Sequence, residues 1–319
     1  MPAVAVAVDG VEEAKIMKTI ELSRHLRVLA LAGAGALLAL PTLAAGGKAF
    51  PTPEAAMEAF GAAIIDNDEA LKRALLGPGY RATIPPVGAE ERYAFLEGWA
   101  RSHRIEADGE RKASIAVGDK GWTLPIPLVK TAAGWQFDMK AGAREMQIRR
   151  IGRNELSVIK VLLAYAEAQR EYRLEDRNGD GVREYAQRVR STSGKKDGLY
   201  WPTGSGEPPS PLGPLLAAAA ADGKGPAQGI FHGYRYRILT AQGPDAPGGA
   251  SSYLDNGRLT SGFAMIAWPA RWGETGVMSF IVNQDGQVFE ADLGPDSTRV
   301  AAHIREYNPG QPWQRTTAR

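Results

Sequence analysis

The residues with the clearest chemical spacing lie in the segment LEDRNGDGVREYAQ, residues 174–187, which we call the acidic loop. In a calcium loop of the EF-hand kind, side-chain oxygens stand at positions 1, 3 and 5, with glycine at 6, a backbone carbonyl at 7 and a further oxygen at 9. The acidic loop supplies these six positions as Asp176, Asn178, Asp180, Gly181, Val182 and Glu184. We therefore predict that calcium binds here through the oxygens of all of these residues except Gly181.

Position 12 of the acidic loop departs from the pattern. Gln187 stands where a bidentate acid normally sets the geometry, so we expect binding in the micromolar to millimolar range, which suffices outside the cytoplasm. The alternative is an Asx turn that caps the preceding helix and leaves its acids in solvent. Neither alternative gives the loop a catalytic role.

A second candidate follows in STSGKKDGLYW, where basic, acidic and aromatic side chains stand close together. Lys195 and Lys196 lie beside Asp197, and Tyr200 and Trp201 follow, so we predict ligand binding by Lys196, Asp197, Tyr200 and Trp201. The segment is not a phosphate-binding P-loop, because the required four-residue gap and preceding glycine are missing. A solvated turn is the alternative interpretation.

No catalytic or cofactor pattern accompanies these two segments. The chain contains no cysteine, which excludes disulfides, thiolate zinc sites and cysteine nucleophiles. It also lacks a G-x-S-x-G nucleophile motif. His103, His232 and His303 have no histidine partner at i+2 to i+4, so a zinc helix is absent. We predict no catalytic residues and no cofactor other than calcium.

Several aromatic residues stand close to glycine and proline, as in the grooves that bind carbohydrates or peptides. They are Tyr200, Trp201, Tyr234, Tyr236, Trp268 and Trp272. The alternative is that these rings pack into the core and hold a long loop in place.

The length and the charge balance set the broad class. A chain of 319 residues is long enough for two domains. Its 38 basic and 36 acidic residues give a net charge of +2, which lacks the concentrated positive field of nucleic-acid-binding proteins. We therefore expect no nucleic-acid partner.

The first residues have the order of a signal peptide. Lys18, Arg24 and Arg27 precede an apolar run from Val28 to Leu40, and small residues follow. The run is shorter than the roughly 20 residues of a membrane-spanning helix. We predict that residues 1–45 are a signal peptide cleaved near Ala44 or Ala45, with Met17 as a possible true start. The mature protein is then periplasmic or secreted, with no stable membrane span.

The remaining sequence predicts an α+β fold in two domains. Residues 46–141 begin with helices, the first capped by Thr52 and opened by Pro53, and continue with three strand-like segments, KASIAVG, GWTLPIPLVKT and GWQFDMK. Helices followed by an antiparallel meander resemble folds of the nuclear-transport-factor-2 (NTF2) and cystatin kinds.

Residues 142–319 form the second predicted domain. A long helix over 143–175 leads into the acidic loop and then into an ordered, glycine- and proline-rich stretch, residues 191–213. Alternating segments follow, with a hairpin turn at Asp285-Gly286. This order is similar to that of soluble pilin-like modules, which implies a helix lying across an antiparallel sheet. Because Arg149, Arg150 and Arg153 stand ahead of the apolar part of this helix, NELSVIKVLLAYAEAQREY, the similarity does not imply filament assembly.

Several long motifs resemble one bacterial family. NELSVIKVLLAYAEAQREY, DRNGDGVREYAQ, STSGKKDGLYWP, GEPPSPLGPL, YRILTAQGPDAPGGA, GFAMIAWPA and TGVMSFIVNQDGQVFEADLGP are similar to the domain-of-unknown-function-2950 family, DUF2950, from about Thr52 to Trp313. The resemblance implies an exported protein without an assigned activity, and it carries no catalytic residues over.

Taken together, the sequence favours a non-catalytic binding or envelope-associated structural module whose partner is an envelope protein or a glycan. The alternative is a periplasmic hydrolase, or a small-ligand-binding protein, with a pocket in the first domain or between the domains. A hydrolase requires acid, base or nucleophilic groups within hydrogen-bond reach of one another, and the candidates are Glu97, His103, Asp138 and Lys196.

Overall fold

The computed structural model describes residues 47–177, 179–215 and 230–317. The chain divides into two compact units between Arg149 and Arg150. This division and the predicted one at 141/142 both fall inside a single helix, Met139–Tyr172. The predicted signal peptide, residues 1–45, and the proposed calcium ligand Asn178 lie outside the described residues.

The first two helices begin where the sequence offers capping side chains. The Thr52 hydroxyl accepts a hydrogen bond from the Ala55 N–H at 3.1 Å, and Pro53 opens the helix, as predicted. Asp68 caps the next helix by accepting from the Leu71 N–H at 2.9 Å. The helices are α1 Pro53–Ile65, α2 Glu69–Leu76, α3 Ala89–Arg101, α4 Met139–Tyr172 and α5 Ser297–His303, with a 3-10 turn at Tyr80–Ala82.

The first unit contains the predicted meander, which the structure confirms. Its antiparallel strands follow the order β1-β2-β4-β5, and β3 pairs with β2. Pro125 and Pro127 lie between β3 and β4, where they need not donate to the ladder, so the middle segment forms two strands. The strands are β1 His103–Ala107, β2 Lys112–Val117, β3 Trp122–Thr123, β4 Leu128–Thr131 and β5 Gly134–Phe137.

The core of the first unit lies between the helices and this sheet. Phe60 of α1 packs on Phe137 of β5 with 5.5 Å between the ring centroids. Gly61 lets the indole of Trp99 approach closely, since a Cβ at this position would lie 2.3 Å from the indole ring. The unit is therefore a helix-on-sheet layer; its similarity to NTF2-like and cystatin-like folds stays a prediction.

The second unit is built on a six-stranded antiparallel sheet of order β15-β14-β13-β12-β7-β6. Every residue of β12 is buried, as expected for a central strand covered on both faces. The predicted turn at Asp285-Gly286 joins β13 to β14, and Gly286 has a φ of +70°. Short pairs β8-β9 and β10-β11 complete the unit. The strands are β6 Ile230–Phe231, β7 Tyr234–Leu239, β8 Ala241–Gln242, β9 Ser251–Ser252, β10 Leu254–Asp255, β11 Arg258–Leu259, β12 Ala264–Pro269, β13 Met278–Asn283, β14 Val288–Asp292 and β15 Gln314–Arg315.

Helix α4 packs on this sheet through its second half. Val158, Leu162 and Tyr165 are buried in the same hydrophobic cluster as β12 and β13. Glu155 holds the start of β13, because its Oε1 accepts from the backbone N–H groups of Val277 and Met278, each at 2.9 Å. The α+β class predicted from the sequence is confirmed. In the part of the chain that is described, no helix combines the length and the apolar character needed to cross a membrane.

Candidate functional site

The acidic loop is folded by hydrogen bonds from its own backbone. Asp176 accepts from the Gly179 N–H through Oδ1 and from the Gly181 N–H through Oδ2, both at 2.8 Å. Both glycines lie in the left-handed region, with φ of +76° and +84°, which side chains rarely adopt. Each carboxylate oxygen of Asp176 thus accepts a loop amide.

The other acids of the loop also have protein partners. Asp180 Oδ1 accepts from the Val182 N–H at 2.9 Å, and Oδ2 forms an ion pair with the Arg258 guanidinium at 2.8 Å. Burial raises the pKa of Glu184, and the nearby Asp180 carboxylate raises this pKa further. The Gln187 side chain at position 12 donates to the Gly257 carbonyl at 2.8 Å.

These contacts account for the conformation of the acidic loop without a cation. Among the residues that the structure describes, no three acidic or histidine side chains are grouped as metal ligands would be. Asn178 is not among those residues. Calcium binding by Asp176, Asp180, Glu184 and the Val182 carbonyl therefore stays a prediction.

The second candidate segment lines a cavity of about 590 Å³ in the second unit, which we call the basic cavity. Three basic side chains, Arg190, Lys195 and Lys196, contribute to its wall, and Glu207 is the acidic residue among the lining residues. The hydroxyl residues Ser191, Thr192 and Ser193 complete the polar part of the wall. The described lining therefore has a positive balance of charge.

A local pairing of the chain builds this wall. Arg190 and Tyr200 form a parallel bridge, in which the Ser191 N–H donates to the Tyr200 carbonyl and the Tyr200 N–H donates to the Val189 carbonyl, each at 2.8 Å. Gly198 allows the two segments to meet, because a Cβ there would lie 2.8 Å from the backbone at Arg190. The pairing thus fixes the basic residues on a rigid frame.

The acid closest in sequence to the lysines is engaged inside its own turn. Asp197 accepts from the Thr192 N–H at 2.7 Å and from the Thr192 hydroxyl at 2.8 Å, and Arg188 lies 3.5 Å away. Burial raises the pKa of Asp197, but these hydrogen bonds and Arg188 outweigh it, so the pKa lies below its usual range. Asp197 therefore shapes the turn and stays ionised.

Trp201 lines the basic cavity and is 7% exposed. The Lys196 ammonium lies 5.6 Å from its ring centroid, and the Arg177 guanidinium lies 5.4 Å from it. Both are within the range of a cation–π interaction. The Tyr172 hydroxyl donates to the Lys196 carbonyl at 2.8 Å, which ties the same segment to α4.

Of the four predicted ligand-binding residues, Lys196 and Trp201 line the basic cavity. Asp197 holds the turn, and Tyr200 lies under the Arg190 guanidinium at 5.1 Å. Sequence reasoning did not identify Arg190, Ser193 or Glu207 as lining residues. The run of hydroxyl and basic residues in RSTSGKK, residues 190–196, was the available indication of Arg190 and Ser193, whereas Glu207 is brought in by the fold.

The remaining aromatic candidates take structural positions. Tyr234 is fully buried and its hydroxyl donates to the Met278 carbonyl at 2.8 Å, while Trp268 is 9% exposed. The Trp272 indole donates to Asp292 at 2.8 Å. For Tyr234 and Trp268 the structure therefore supports core packing.

The hydrolase candidates in the first unit have separate local partners. His103 stacks on Trp99, and its Nε2 lies 3.6 Å from Glu58. Asp138 accepts from the Ala141 N–H at 2.9 Å at the start of α4. Glu97 pairs with Arg101 at 3.4 Å along α3. These contacts are those of caps and surface pairs, and they do not join His103, Asp138 and Glu97 into one site.

The comparisons with known proteins give a family and no activity. A family model described as "Protein of unknown function (DUF2950)" matches residues 47–316. No curated protein and no solved structure matches the chain.

Proposed function

Since this chain belongs to the DUF2950 family, whose description carries no activity, we propose from its own residues that it is an exported, non-catalytic binding protein. Its ligand is a component of the cell envelope or its surroundings and occupies the basic cavity of the second unit. The observation that carries the proposal is the cavity itself, about 590 Å³ with three basic side chains in its wall.

The size and construction of the cavity support this role. Sites for small molecules are clefts of about 300–1,000 Å³ in which a few fixed polar groups orient the ligand. Here the Arg190–Tyr200 bridge and the bond from Tyr172 to Lys196 fix the frame that carries the polar groups. A rigid frame favours binding, because little conformational entropy is lost when a ligand enters.

The composition of the cavity favours binding over catalysis. General acid–base work needs groups whose pKa values are brought near the working pH. The carboxylate at the turn, Asp197, has a lowered pKa and accepts two hydrogen bonds from Thr192, so it is held ionised and occupied. The three basic side chains of the wall are placed to bind a negatively charged ligand.

The proposal is tested by ligand retention. The purified mature protein is equilibrated with a small-molecule extract of the cells that produce it, desalted and denatured, and the released compounds are identified by mass spectrometry. We expect one retained class of compound that is lost in Ser193→Trp, which fills the cavity. Ser205→Trp, at an exposed position outside the cavity lining, is the matched control and should retain it.

Two results contradict the proposal. One is that the wild-type protein retains no compound, and the other is that Ser193→Trp retains the same compounds in the same amounts. Circular dichroism and thermal unfolding of both variants establish that each is folded before the comparison.

A further inference from the structure

We propose that the ligand of the basic cavity carries a phosphate group, which binds between Arg190, Lys195 and Lys196. This inference rests on the proposed binding function and adds the chemical class of the ligand. It follows from three observations. They are the positive charge of the cavity wall, the hydrogen bonds that engage the neighbouring acids, and the burial of the indole that lines the cavity.

The three basic side chains have no acidic partner in the described structure. None of them forms an ion pair within the described ranges, although Lys196 is adjacent to Asp197 in the sequence. The Asp197 carboxylate is directed to Thr192 and Arg188 instead. Three like charges around one cavity repel one another, so an anion that enters relieves the repulsion as well as gaining its own attraction.

Glu207 does not neutralise the wall. Its Oε2 accepts from the Gly204 N–H at 3.1 Å, which closes a local turn. One carboxylate against three cations leaves the described lining with a formal charge of about +2, taking each ionised side chain as one unit. The ligand that best matches such a wall carries about two negative charges.

Phosphate fits this requirement better than a carboxylate. A phosphate monoester carries about −1.5 to −2 charges at pH 7 and presents three acceptor oxygens, whereas a carboxylate carries one charge and two oxygens. The Arg190 guanidinium lies 5.1 Å from the centroid of the Tyr200 ring, and a guanidinium can donate two parallel hydrogen bonds to an oxyanion. The lysines then act as point charges on the remaining oxygens.

The indole in the cavity argues against a neutral sugar as the main determinant. An aromatic ring contributes to binding mainly through the faces that it buries against a ligand. The Trp201 ring is 7% exposed and already lies under Lys196 and Arg177. Charge therefore recognises the ligand, and Trp201 serves to position Lys196.

The turn that carries Ser193 and Gly194 is closed by a backbone hydrogen bond. The Lys195 N–H donates to the Thr192 carbonyl at 2.9 Å, and Gly194 has a φ of +76°, which closes the turn tightly. Such turns direct successive N–H groups towards one concave side, where they attract anions. Ser193 stands at the exposed centre of this turn and lines the cavity.

The test uses the full mature chain and isothermal titration with pyrophosphate at low ionic strength. We expect binding that weakens as salt is added, because the cations are exposed and screened. The double variant Lys195→Gln/Lys196→Gln should bind at least about tenfold more weakly, since each charge-assisted hydrogen bond that is lost costs about this factor. The control Lys120→Gln/Lys130→Gln removes the same charge from exposed positions of the first unit and should change the affinity by less than about twofold.

A second variant covers the case in which the double substitution fails to fold. Ser193→Asp places a negative charge at the exposed turn, and we expect it to weaken pyrophosphate binding by at least about tenfold while thermal unfolding stays close to that of the wild type.

The source of the phosphate is distinguished by a flotation assay. Binding to phosphatidylcholine vesicles containing phosphatidic acid, with no binding of pyrophosphate, assigns the phosphate to a lipid headgroup. Binding of pyrophosphate without vesicle binding assigns it to a free phosphorylated compound. Equal affinity for citrate and pyrophosphate, or equal binding by the double variant and its control, overturns the phosphate assignment. If phosphate probes fail while the extract still yields a compound that Ser193→Trp loses, the binding function stands and only the ligand class is wrong.

Discussion

Glu69 lies among Lys72, Tyr80 and Arg81 in the first unit and links α2 to the 3-10 turn that follows it. Its carboxylate is 2.5 Å from Lys72 Nζ, accepts from the Tyr80 hydroxyl at 2.5 Å and also pairs with Arg81. The hydrogen bond from Lys72, followed by that from Tyr80, lowers the pKa of Glu69 from 4.5 to about 2. A lowered pKa in the folded state means that the ionised carboxylate stabilises the fold.

Because the folded-state pKa of Glu69 is lowered, we predict that the stability contributed by its carboxylate is lost in acid. The contribution is fully present above the unfolded-state pKa of about 4.5 and is lost as the pH falls towards about 2. In urea unfolding, the difference between wild type and Glu69→Gln should therefore be constant above about pH 5 and shrink below it. Glu54→Gln, at an exposed position in α1, is the control. A wild-type-minus-Glu69→Gln difference that does not change between pH 5 and 2 would contradict the prediction.

Gly198 is required by a close approach of two backbone segments. A Cβ there would lie 2.8 Å from both the Arg190 carbonyl carbon and the Ser191 nitrogen, and backbone atoms cannot move aside as a flexible side chain can. We expect Gly198→Ala to destabilise the second unit by about 1–3 kcal/mol, as overpacking does. Gly204→Ala is the matched control, because its Cβ would meet only the Glu207 side chain at 3.7 Å. Equal midpoints for the two variants in thermal unfolding would show that the Arg190–Tyr200 pairing tolerates a side chain.

At the scale of elements, Gln169 joins helix α4 to the chain that follows the acidic loop. Its side chain is fully buried, accepts from the Ala186 N–H at 2.8 Å and donates to the Ala186 carbonyl at 2.8 Å. Gln169→Leu leaves both backbone groups buried without a partner, so we expect a loss of about 2–5 kcal/mol. Gln187→Ala removes one exposed hydrogen bond to the Gly257 carbonyl and should cost less than about 1 kcal/mol. Chemical unfolding measures both, and similar losses would mean that Ala186 finds other partners.

For the acidic loop, we predict that Arg258 competes with calcium. Because Arg258 pairs with Asp180 at 2.8 Å, calcium must displace this guanidinium to reach the carboxylate. If the loop binds calcium as the spacing predicts, millimolar calcium raises the unfolding temperature, Asp180→Ala abolishes the rise and Arg258→Ala enlarges it. Thermal unfolding with calcium and with chelator measures all three. Magnesium is the control ion, and no rise with calcium in wild type or Arg258→Ala removes calcium as a ligand.

At the scale of the whole molecule, the sequence correctly predicted the features whose conformation depends on residues close together in the chain. Thr52, Pro53 and the Asp285-Gly286 turn act within a few residues, and β5 of the first unit alternates between half-buried and buried residues. The two-residue strands of the second unit, such as β8 to β11, are too short to show a period. β8 pairs with β9 across residues 243–250, and β10 pairs with β11 across residues 256–257, so these pairings leave no periodic pattern in the sequence.

The candidate site could likewise be predicted from the sequence only in part. The lysines and Trp201 were recognised because they are close together in the sequence, but the basic cavity exists because Arg190 pairs with Tyr200 and the fold adds Glu207 to the wall. The acidic loop was recognised from its spacing, whereas its ion pair with Arg258 depends on a hairpin far along the chain. The spacing of residues in the sequence therefore identified candidate side chains. Pairing between segments far apart in the chain determined which of these side chains lie together.

Export is the last prediction, and it concerns where the folded protein begins. The proposed cleavage point near Ala44 or Ala45 lies just before Gly47, whose carbonyl accepts from the Gln136 side chain at 2.8 Å. The Lys48 N–H donates to the Ala74 carbonyl at 2.7 Å, and the family match also begins at residue 47. Cleavage before this point leaves these contacts of the first unit intact, which supports the proposal.

The measurement is the intact mass of the protein recovered from the periplasm or medium of the producing cells. We expect a chain that lacks the residues up to Ala44 or Ala45, since signal peptidases cut after small residues. Ala44→Phe/Ala45→Phe should retain the leader and stay with the membrane fraction, while Lys48→Gln, just past the cleavage point, should be processed normally. A cytosolic product that keeps its apolar run would show that the run has another role, and the ligand of the basic cavity would then belong inside the cell.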